Sequence, residues 1–435
     1  MSSPPVGTAH PDRTPRPTPP ARPHRAVPAP APDQRPAVAR LVAVVVALVV
    51  LAVVTHTTAV LVVVVALIVM IMLHELGHLL TAKWGHMKVT EYFLGFGPRL
   101  WSIRRGETEY GIKAIPAGGY VKILGMTSAE EVDPADEPRT YRQQPFHNRL
   151  LVAVAGSAMH GVMALLLLWG LAVFVGVPQA DAVAVTGYSA IGHSADPARA
   201  AGIRPGDVVV SVAGRAVHSP QDLQRVISHS AGRSVTVVVE RHGRRRSLDV
   251  TPQADPAVKG ANGRIGVVIA NPVATSNPAV GVVRAGQMLA RDVSLSFQGI
   301  GQTFSASGIA SYFHDLTNAH AADQAARTGD RVSSIYGAAR FAVQGARAGA
   351  YWLINVLVLI IVFVGILNLF PMLPLDGGHV LIAVYERIRS RRGRMYHADV
   401  NKLAPVAYAF VLLLGFIVLS SLYLDITHPI KNPFQ

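Results

Sequence analysis

The chain contains no cysteine among its 435 residues. This absence excludes disulfide bonds, and it excludes a thiolate as a nucleophile or a metal ligand. Any metal site must therefore use histidine, aspartate or glutamate side chains. Charged residues are also scarce, at 15% of the chain against 50% hydrophobic residues, and the hydrophobic residues fall in long runs. This composition predicts a polytopic α-helical membrane protein.

The formal net charge is +14, and the position of the basic residues decides what that excess means. Five arginines crowd between two apolar segments, namely Arg387, Arg389, Arg391, Arg392 and Arg394. A basic cluster in a short loop is typical of the cytoplasmic face of a membrane protein. No nucleic-acid recognition motif accompanies the charge, so we expect a lipid bilayer and no nucleic acid as partner.

A short metal-binding pattern stands at the end of one apolar run. The sequence His74-Glu75-Leu76-Gly77-His78 follows an uncharged run from Ala59 to Ile71. On a helix, histidines four residues apart share one face and can bind one zinc ion, while Glu75 can deprotonate a water on that zinc. Ionisable groups inside a membrane are costly and are functional by default. The alternative is a helix end that emerges into water with accidental spacing.

A second apolar segment carries the acid that such a site still needs. The run Tyr351–Phe370 is broken by Pro371 and Pro374, and Asp376 follows at once. Irregular backbone at membrane depth is tolerated only around a cavity or a site, and zinc with two histidines requires a third protein ligand. Asp376 is therefore the candidate ligand, although an aspartate before two glycines is also a common turn residue.

Between these segments the sequence changes character. Within residues 88–126, glycines alternate with aromatic and β-branched residues, which predicts a hairpin or small sheet. Because this element lies next to the motif, it can enter the membrane against protein rather than lipid. Residues 182–252 contain Gly202-Ile203-Arg204-Pro205-Gly206-Asp207 and resemble a PDZ domain outside the cytoplasm. Two roles stay open for this domain. It either binds an extended chain end, or it gates the membrane site by size.

The predicted domain order has ten parts if residues 37–82 form two helices. One long helix over the same residues is the alternative. The ten parts are a disordered Pro-rich cytoplasmic tail (1–36), an extra transmembrane helix (37–54), the transmembrane helix with the motif (59–83), the β element (88–126), a cytoplasmic loop (127–149), a transmembrane helix (150–177), the PDZ domain (182–252), an extracytoplasmic linker with amphipathic helices (253–350), and transmembrane helices at 351–390 and 404–424.

These motifs, in this order, resemble the site-2 protease family of intramembrane zinc metalloproteases, and within it the actinobacterial members with one PDZ insert. The resemblance rests on His74 to His78, on Gly119-Tyr120-Val121-Lys122 and on the run from Asn368 to Gly378. It covers roughly Val60 to the C-terminus. It implies hydrolysis of peptide bonds in single-span membrane proteins, such as anti-sigma factors already cut outside the membrane, in regulated intramembrane proteolysis.

The resemblance also implies a role for each matching residue. His74, His78 and Asp376 would bind Zn²⁺, and Glu75 would be the general base. Asn368 would help to hold the substrate backbone or the oxyanion. Gly119, in the membrane-reentrant β element, and His160 would also bind the substrate. His160 is a departure, because the family often has Gly-Pro-x-x-Asn where this chain has Gly156-Ser157-Ala158-Met159-His160.

Two other functions compete with the protease. One is an idle membrane scaffold whose PDZ domain recruits partners, and the other is an ion or metal transporter. The intact Glu75 disfavours the scaffold, because retention of zinc does not need it. The lack of internal repeat symmetry disfavours the transporter.

Overall fold

The computed structural model describes residues 35–126, 130–179, 181–189, 196–254, 262–329, 331–390 and 396–430. The predicted disordered tail lies outside these residues except for its last two, and so do three arginines of the basic loop. The helices are α1 (Arg35–Val54), α2 (Thr58–Trp84), α3 (Phe146–Gly170, continued by a π-helical turn at Leu171–Val175), α4 (Pro197–Ala200), α5 (Pro220–Ser228), α6 (Pro278–Thr303), α7 (Ala306–Thr317), α8 (Ala319–Thr328), α9 (Ile335–Ala348), α10 (Ala350–Asn368), α11 (Asp376–Arg389) and α12 (Ala404–Thr427).

The strands lie in the segment after α2 and in the module between α3 and α6. They are β1 (Val89–Arg105), β2 (Thr108–Ile123), β3 (Val177–Pro178), β4 (Val183–Tyr188), β5 (Val208–Val212), β6 (Arg215–Ala216), β7 (Val235–Arg241), β8 (Arg244–Val250), β9 (Gln253–Ala254), β10 (Gly263–Arg264), β11 (Val267–Ala270) and β12 (Val273–Ala274). Single 3₁₀ turns occur at Glu137–Arg139, Tyr141–Gln143 and Val400–Leu403.

Four helices of the described residues are long and apolar enough to cross a membrane, namely α2, α3 with its π-helical turn, α10 and α12. They confirm the predicted class of helical membrane protein. α1 contributes a shorter apolar stretch, Val42–Val54, so its role as an extra span stays a prediction. α1 ends at Val54 and α2 begins at Thr58, after a turn in which His56 adopts a φ of +55°.

Helix α3 is the centre of the bundle. α2, α10 and α11 each pack on it extensively, whereas α2 and α11 contact each other far less. Its residues Ala164, Leu168 and Leu171 are completely buried in a shared apolar cluster with α2, α6 and α10. Burial of such side chains stabilises the bundle wherever the alternative is exposure to water. The relative position of α2 and α11 is therefore set mainly through α3.

The strands β1 and β2 form an antiparallel hairpin that folds back on itself. Residues 89–94 pair both with 119–123 and with 109–112. The bend occurs at Gly95 and Gly97, whose φ values are +85° and +82°. Such φ values are readily adopted only by glycine. The fold-back gives residues 119–123 strand partners on one side, in β1, and places this end of β2 against α2.

The module between α3 and α6 has its own core and a sheet in the order β11-β4-β5-β7-β8, with β6 paired to β5. Val185, Ile203 and Val237 are among its buried residues, together with Leu223 of α5. Antiparallel strands with two short helices, α4 and α5, fit the predicted PDZ-like architecture. The sheet extends beyond the predicted boundary at residue 252, because β11 pairs with β4.

The Pro-Gly-Asp turn of this module is fixed by a buried carboxylate. Asp207 accepts hydrogen bonds at 2.6 Å from both Nε and Nη2 of Arg241, and at 2.8 Å from the Arg204 backbone N–H. Burial by itself would raise the pKa of Asp207. The guanidinium and the backbone N–H outweigh it and hold that pKa below its ordinary value.

Candidate metal centre

The two histidines of α2 face one another inside the bundle. His74 is 8% exposed and His78 is 5% exposed, and their Nε2 atoms lie 3.2 Å apart. His78 Nδ1 lies 2.7 Å from the backbone carbonyl oxygen of Val152 on α3. Because a carbonyl oxygen only accepts, His78 Nδ1 carries the proton and His78 Nε2 presents a lone pair. This second contact orients the imidazole as a metal ligand requires.

Asp376 brings a carboxylate to the same point from the other end of the chain. It is the first residue of α11, and its Oδ2 lies 3.3 Å from Nε2 of His74 and 3.3 Å from Nε2 of His78. Gly377 and Gly378 permit the tight return of the chain before α11. A Cβ at Gly378 would lie only 2.7 Å from the Leu373 backbone nitrogen. The structure thus brings together the three residues that sequence analysis predicted as ligands.

The three side chains fit a zinc ion. Four tetrahedral ligands at about 2.0–2.1 Å from zinc lie about 3.3 Å from one another, and the three observed separations are 3.2, 3.3 and 3.3 Å. Asp376 Oδ2 and His74 Nδ1 are buried without a hydrogen-bond partner. Asp376 Oδ2 faces the Nε2 atoms of both histidines, and a buried carboxylate oxygen without a donor is costly, so a cation bound between these three atoms would satisfy it. A fourth tetrahedral position remains for water or substrate.

Glu75 stands beside this group, where α2 meets the end of β2. Its side chain is half-buried. A Cβ added at Gly119 would lie 3.2 Å from Glu75 Cγ and equally close to Ile71 Cγ2. Gly119 therefore permits β2 to approach the helix that carries the metal ligands. The structure places these two predicted residues together.

His160 also reaches the site, through α3. Its ring centroid lies 5.1 Å from that of His74, in an edge-on arrangement. Its Nδ1 lies 2.8 Å from the Ile361 carbonyl oxygen of α10, so Nδ1 is the protonated nitrogen. α10 packs closely here, since a Cβ at Gly365 would lie 2.7 Å from His160 Cβ. Asn368 ends α10 one turn beyond Gly365 and is half-buried.

Sequence reasoning missed two parts of the site, both on α3. One is the Val152 carbonyl that orients His78, and no side-chain pattern announces it. The other is Gly156, which packs against both imidazoles. A Cβ there would lie 2.5 Å from His78 Nε2 and 2.7 Å from His74 Nδ1. The signal for Gly156 was its small size, one helical turn before His160.

The arrangement is that of a zinc metalloprotease: a His-Glu-x-x-His helix, a third ligand from a distant carboxylate, and a base beside them. Here it lies among helices long enough to cross a membrane. The model of Peptidase family M50 matches residues 62–414, and the chain belongs to this family. The predicted resemblance to the site-2 proteases is thereby confirmed.

Individual relatives agree with the family. The chain is 34% identical over 391 residues to the zinc metalloprotease Rip1 of Mycobacterium tuberculosis, covering 83% of this chain and 95% of that protein. It is 33% identical over 397 residues to the zinc metalloprotease Rip1 of Mycolicibacterium smegmatis, with the same coverage. These relatives confirm the predicted zinc metalloendopeptidase and its Zn²⁺ cofactor, and they are actinobacterial, as predicted.

Among solved structures, the chain is similar to the PDZ domain of the SdrC-like protein of Listeria monocytogenes. The identity is 21%, the TM-score is 0.18, and the match covers 21% of this chain and 88% of that one.

Proposed function

We propose that this zinc metalloendopeptidase cuts single-span membrane proteins within the membrane, at a site made of His74, His78, Asp376 and Glu75. The observation that carries the proposal is the convergence of three lone-pair atoms at 3.2–3.3 Å among membrane-length helices. Anti-sigma factors that have already been shortened outside the membrane are the proposed substrates, in regulated intramembrane proteolysis.

Each residue has a chemical task in this proposal. Zinc, when bound by His74, His78 and Asp376, supplies a Lewis acid that polarises the scissile carbonyl and makes a water more acidic. Glu75 accepts the proton of the attacking water. It then gives a proton to the leaving amine nitrogen, so that peptide bond cleavage leaves Glu75 ionised again. His160 and Asn368 hold the substrate backbone.

The substrate must be unwound, because the carbonyls of a helical peptide are occupied by its own hydrogen bonds. The end of β2 at Gly119 supports this step. It lies beside Glu75, and its strand pairs with β1 on one side. An extended substrate segment added to this strand would place its carbonyls near the metal ligands. The exposed, paired side chains Phe96 and Ile115 favour entry of the hairpin into the membrane.

The proposed orientation puts the N-terminus, the 127–149 loop and the arginine loop in the cytoplasm, and the PDZ-like module outside the cell membrane. It rests on the positive charge of the short loop. The absence of cysteine permits a direct test. Single replacements Glu131→Cys and Ser247→Cys, both at exposed positions, are treated with a membrane-impermeant maleimide in intact cells. Labelling of Ser247→Cys alone is expected, and labelling of Glu131→Cys alone contradicts the orientation.

A peptide ligand of the PDZ-like module is also proposed. β11 and β8 are the two outer strands of the sheet, and Val268 on β11 is 47% exposed. A free outer strand accepts an extended chain end by β-addition. Deletion of residues 182–270, which removes the whole sheet including β11, separates peptide binding from a size filter. Loss of cleavage of the shortened substrate supports peptide binding, whereas new cleavage of uncut substrate supports a filter.

The main test is cleavage of a tagged single-span protein co-expressed with wild type or with Glu75→Gln. Cleavage is expected with wild type and is expected to be lost in Glu75→Gln. The variant should retain one zinc per chain, because Glu75 is not a ligand. Glu131→Gln, an exposed carboxylate in the 127–149 loop, is the matched control and should cleave normally. Equal cleavage by wild type and Glu75→Gln would show that the proposed site is wrong.

A further inference from the structure

An ion pair lies buried between α3 and α11, away from the metal ligands. Arg149 Nη1 donates to Glu386 Oε2, and the two side chains are 7% and 5% exposed. The other oxygen of Glu386 accepts the Ala398 backbone N–H at 2.7 Å. Removing two charges from water is costly, and apolar side chains of similar volume often hold helices as well or better. We therefore expect this ion pair to fix the relative position of α3 and α11, in addition to holding the two helices together.

On α3, the ion pair and the metal site share one face. Arg149, Val152 and Gly156 follow at i, i+3 and i+7, a spacing that keeps side chains on one side of a helix. The Val152 carbonyl oxygen accepts a hydrogen bond from His78 Nδ1–H, and Gly156 packs against both imidazoles. Because an α-helix rises about 1.5 Å per residue, Arg149 lies about 10 Å from Gly156 along the axis of α3, on the N-terminal side.

On α11 too, the ion-pair residue and the metal-site residue share one face of the helix. Asp376, Ala383 and Glu386 lie on one face, at i, i+7 and i+10, and Ala383 is 1% exposed. Asp376 is the first residue of α11 and follows an irregular segment with two prolines. No helix or strand spans residues 369–375 directly before the ligand, so its place depends also on how the rest of α11 packs on α3.

A second contact ties the same two helices. Tyr141 donates its hydroxyl proton to the Arg149 carbonyl oxygen at 3.2 Å. Its ring meets His379 edge-on, with 6.3 Å between centroids. His379 lies one turn after Asp376. The contacts around Arg149 thus reach both ends of α11.

We propose that Arg149 and Glu386 are positioning residues for the third zinc ligand. The ion pair sets the register of α11 on α3 and thereby holds Asp376 at 3.3 Å from the two histidines. A slip of one residue would move Asp376 about 1.5 Å along α11 and turn it by about 100°, which removes its carboxylate from the site. This inference rests on the proposed function of Asp376 as a ligand.

The test compares four versions of the full chain. They are wild type, Arg149→Met/Glu386→Met, the swap Arg149→Glu/Glu386→Arg, and the control Arg331→Met/Asp425→Met. The control removes an ion pair of similar burial, at 0% and 3% exposed, that joins α12 to the segment before α9. Three quantities are measured: zinc affinity by chelator competition, kcat and KM for a single-span substrate, and thermal unfolding of the metal-free chain.

The Arg149→Met/Glu386→Met variant should unfold at or above the wild-type temperature but bind zinc about 10- to 100-fold more weakly, as variants of outer-sphere residues do. Its kcat should fall while KM stays near the wild-type value, because the substrate strand is untouched. The swap should recover part of the zinc affinity. The control should bind zinc as wild type does.

Wild-type zinc affinity and kcat in the folded Met/Met variant would overturn the proposal. An equal loss in the control would also overturn it, because the effect would then be a general loosening of the bundle. If the Met/Met variant does not fold, the swap and the single variant Glu386→Gln decide. Zinc affinity higher in the swap than in Glu386→Gln supports positioning, and equal or lower affinity overturns it. A wild-type chain that binds no zinc would instead refute the proposed function.

Discussion

Gly156→Ala should weaken zinc binding although Gly156 is not a ligand. The substitution adds one methyl group to α3 at its point of contact with α2. That carbon would lie 2.5 Å from His78 Nε2 and 2.7 Å from His74 Nδ1. Real Cβ atoms do not approach other heavy atoms within 3.0 Å, so at least one imidazole must move. His78 cannot move freely, because its Nδ1 is hydrogen-bonded to the Val152 carbonyl oxygen.

The size of the effect follows from the cost of overpacking. An extra methyl or methylene group in a well-packed interior typically costs about 1–3 kcal/mol. Here the atoms that must yield are those that bind the metal, so the cost falls mainly on the zinc-bound state. A difference of about 1.4 kcal/mol is tenfold in affinity, which gives a loss of roughly 5- to 150-fold. Cleavage at limiting zinc should decrease by a similar factor.

The assay is competition for zinc against a chelator of known affinity, with purified full-length chain in detergent or nanodiscs. Gly161→Ala is the matched control on the same helix, since a Cβ there meets nothing within 4 Å. Alanine in place of a helical glycine is expected to stabilise the chain by about 0.5–1 kcal/mol with no change in zinc affinity. If Gly156→Ala binds zinc as tightly as Gly161→Ala, the close packing of α3 against the ligands is not a property of the working site.

Three further expectations follow from the same contacts. Asp376→Asn should abolish zinc retention at neutral pH, measured as metal content after gel filtration, because a neutral amide replaces the only anionic ligand. Gly119→Val should lower kcat with zinc content unchanged, because its side chain would press on Glu75 rather than on a ligand. The PDZ-like module should lose stability in acid. Since the pKa of Asp207 is lowered in the folded chain, its pair with Arg241 contributes fully above the unfolded pKa of about 3.9 and is lost as pH falls through the folded value. The protection of the β5 amides, measured as the observed exchange rate relative to the intrinsic rate at the same pH, should therefore fall below about pH 4 in wild type, and less in Asp207→Asn, which lacks that stabilisation at every pH.

The parts of the site that local pattern determines were predictable from sequence. His74, Glu75 and His78 follow from a helical period of four residues, which needs no knowledge of other segments. Asp376 required one further step. In a chain without cysteine, an acid behind two prolines in an apolar segment was the best remaining ligand. The structure places it at 3.3 Å from both histidines, so these residues supply the predicted His-His-Asp set.

The parts that depend on which helix packs on which were not predictable. Arg149 and Glu386 are 237 residues apart, and each alone is typical of a helix end at a membrane surface. A small residue such as Gly156 favours close packing of helices, but the sequence does not say that its neighbours are His74 and His78. The strand β11 lies outside the predicted PDZ boundary. The last strand pattern that can be recognised in the sequence ends near residue 252, whereas β11 is a later segment that joins the sheet by pairing with β4.

The packing of the bundle leads us to expect that α3, which carries none of the three proposed ligands, sets the geometry of the metal site. α2 carries His74 and His78 and α11 carries Asp376, yet each helix packs mainly on α3. Any error in seating either helix on α3 becomes an error in the distance between the histidines and Asp376. Substitutions on the α3 face that includes Arg149, Val152 and Gly156 should therefore weaken zinc binding, whereas substitutions on its opposite face should change only the stability of the bundle.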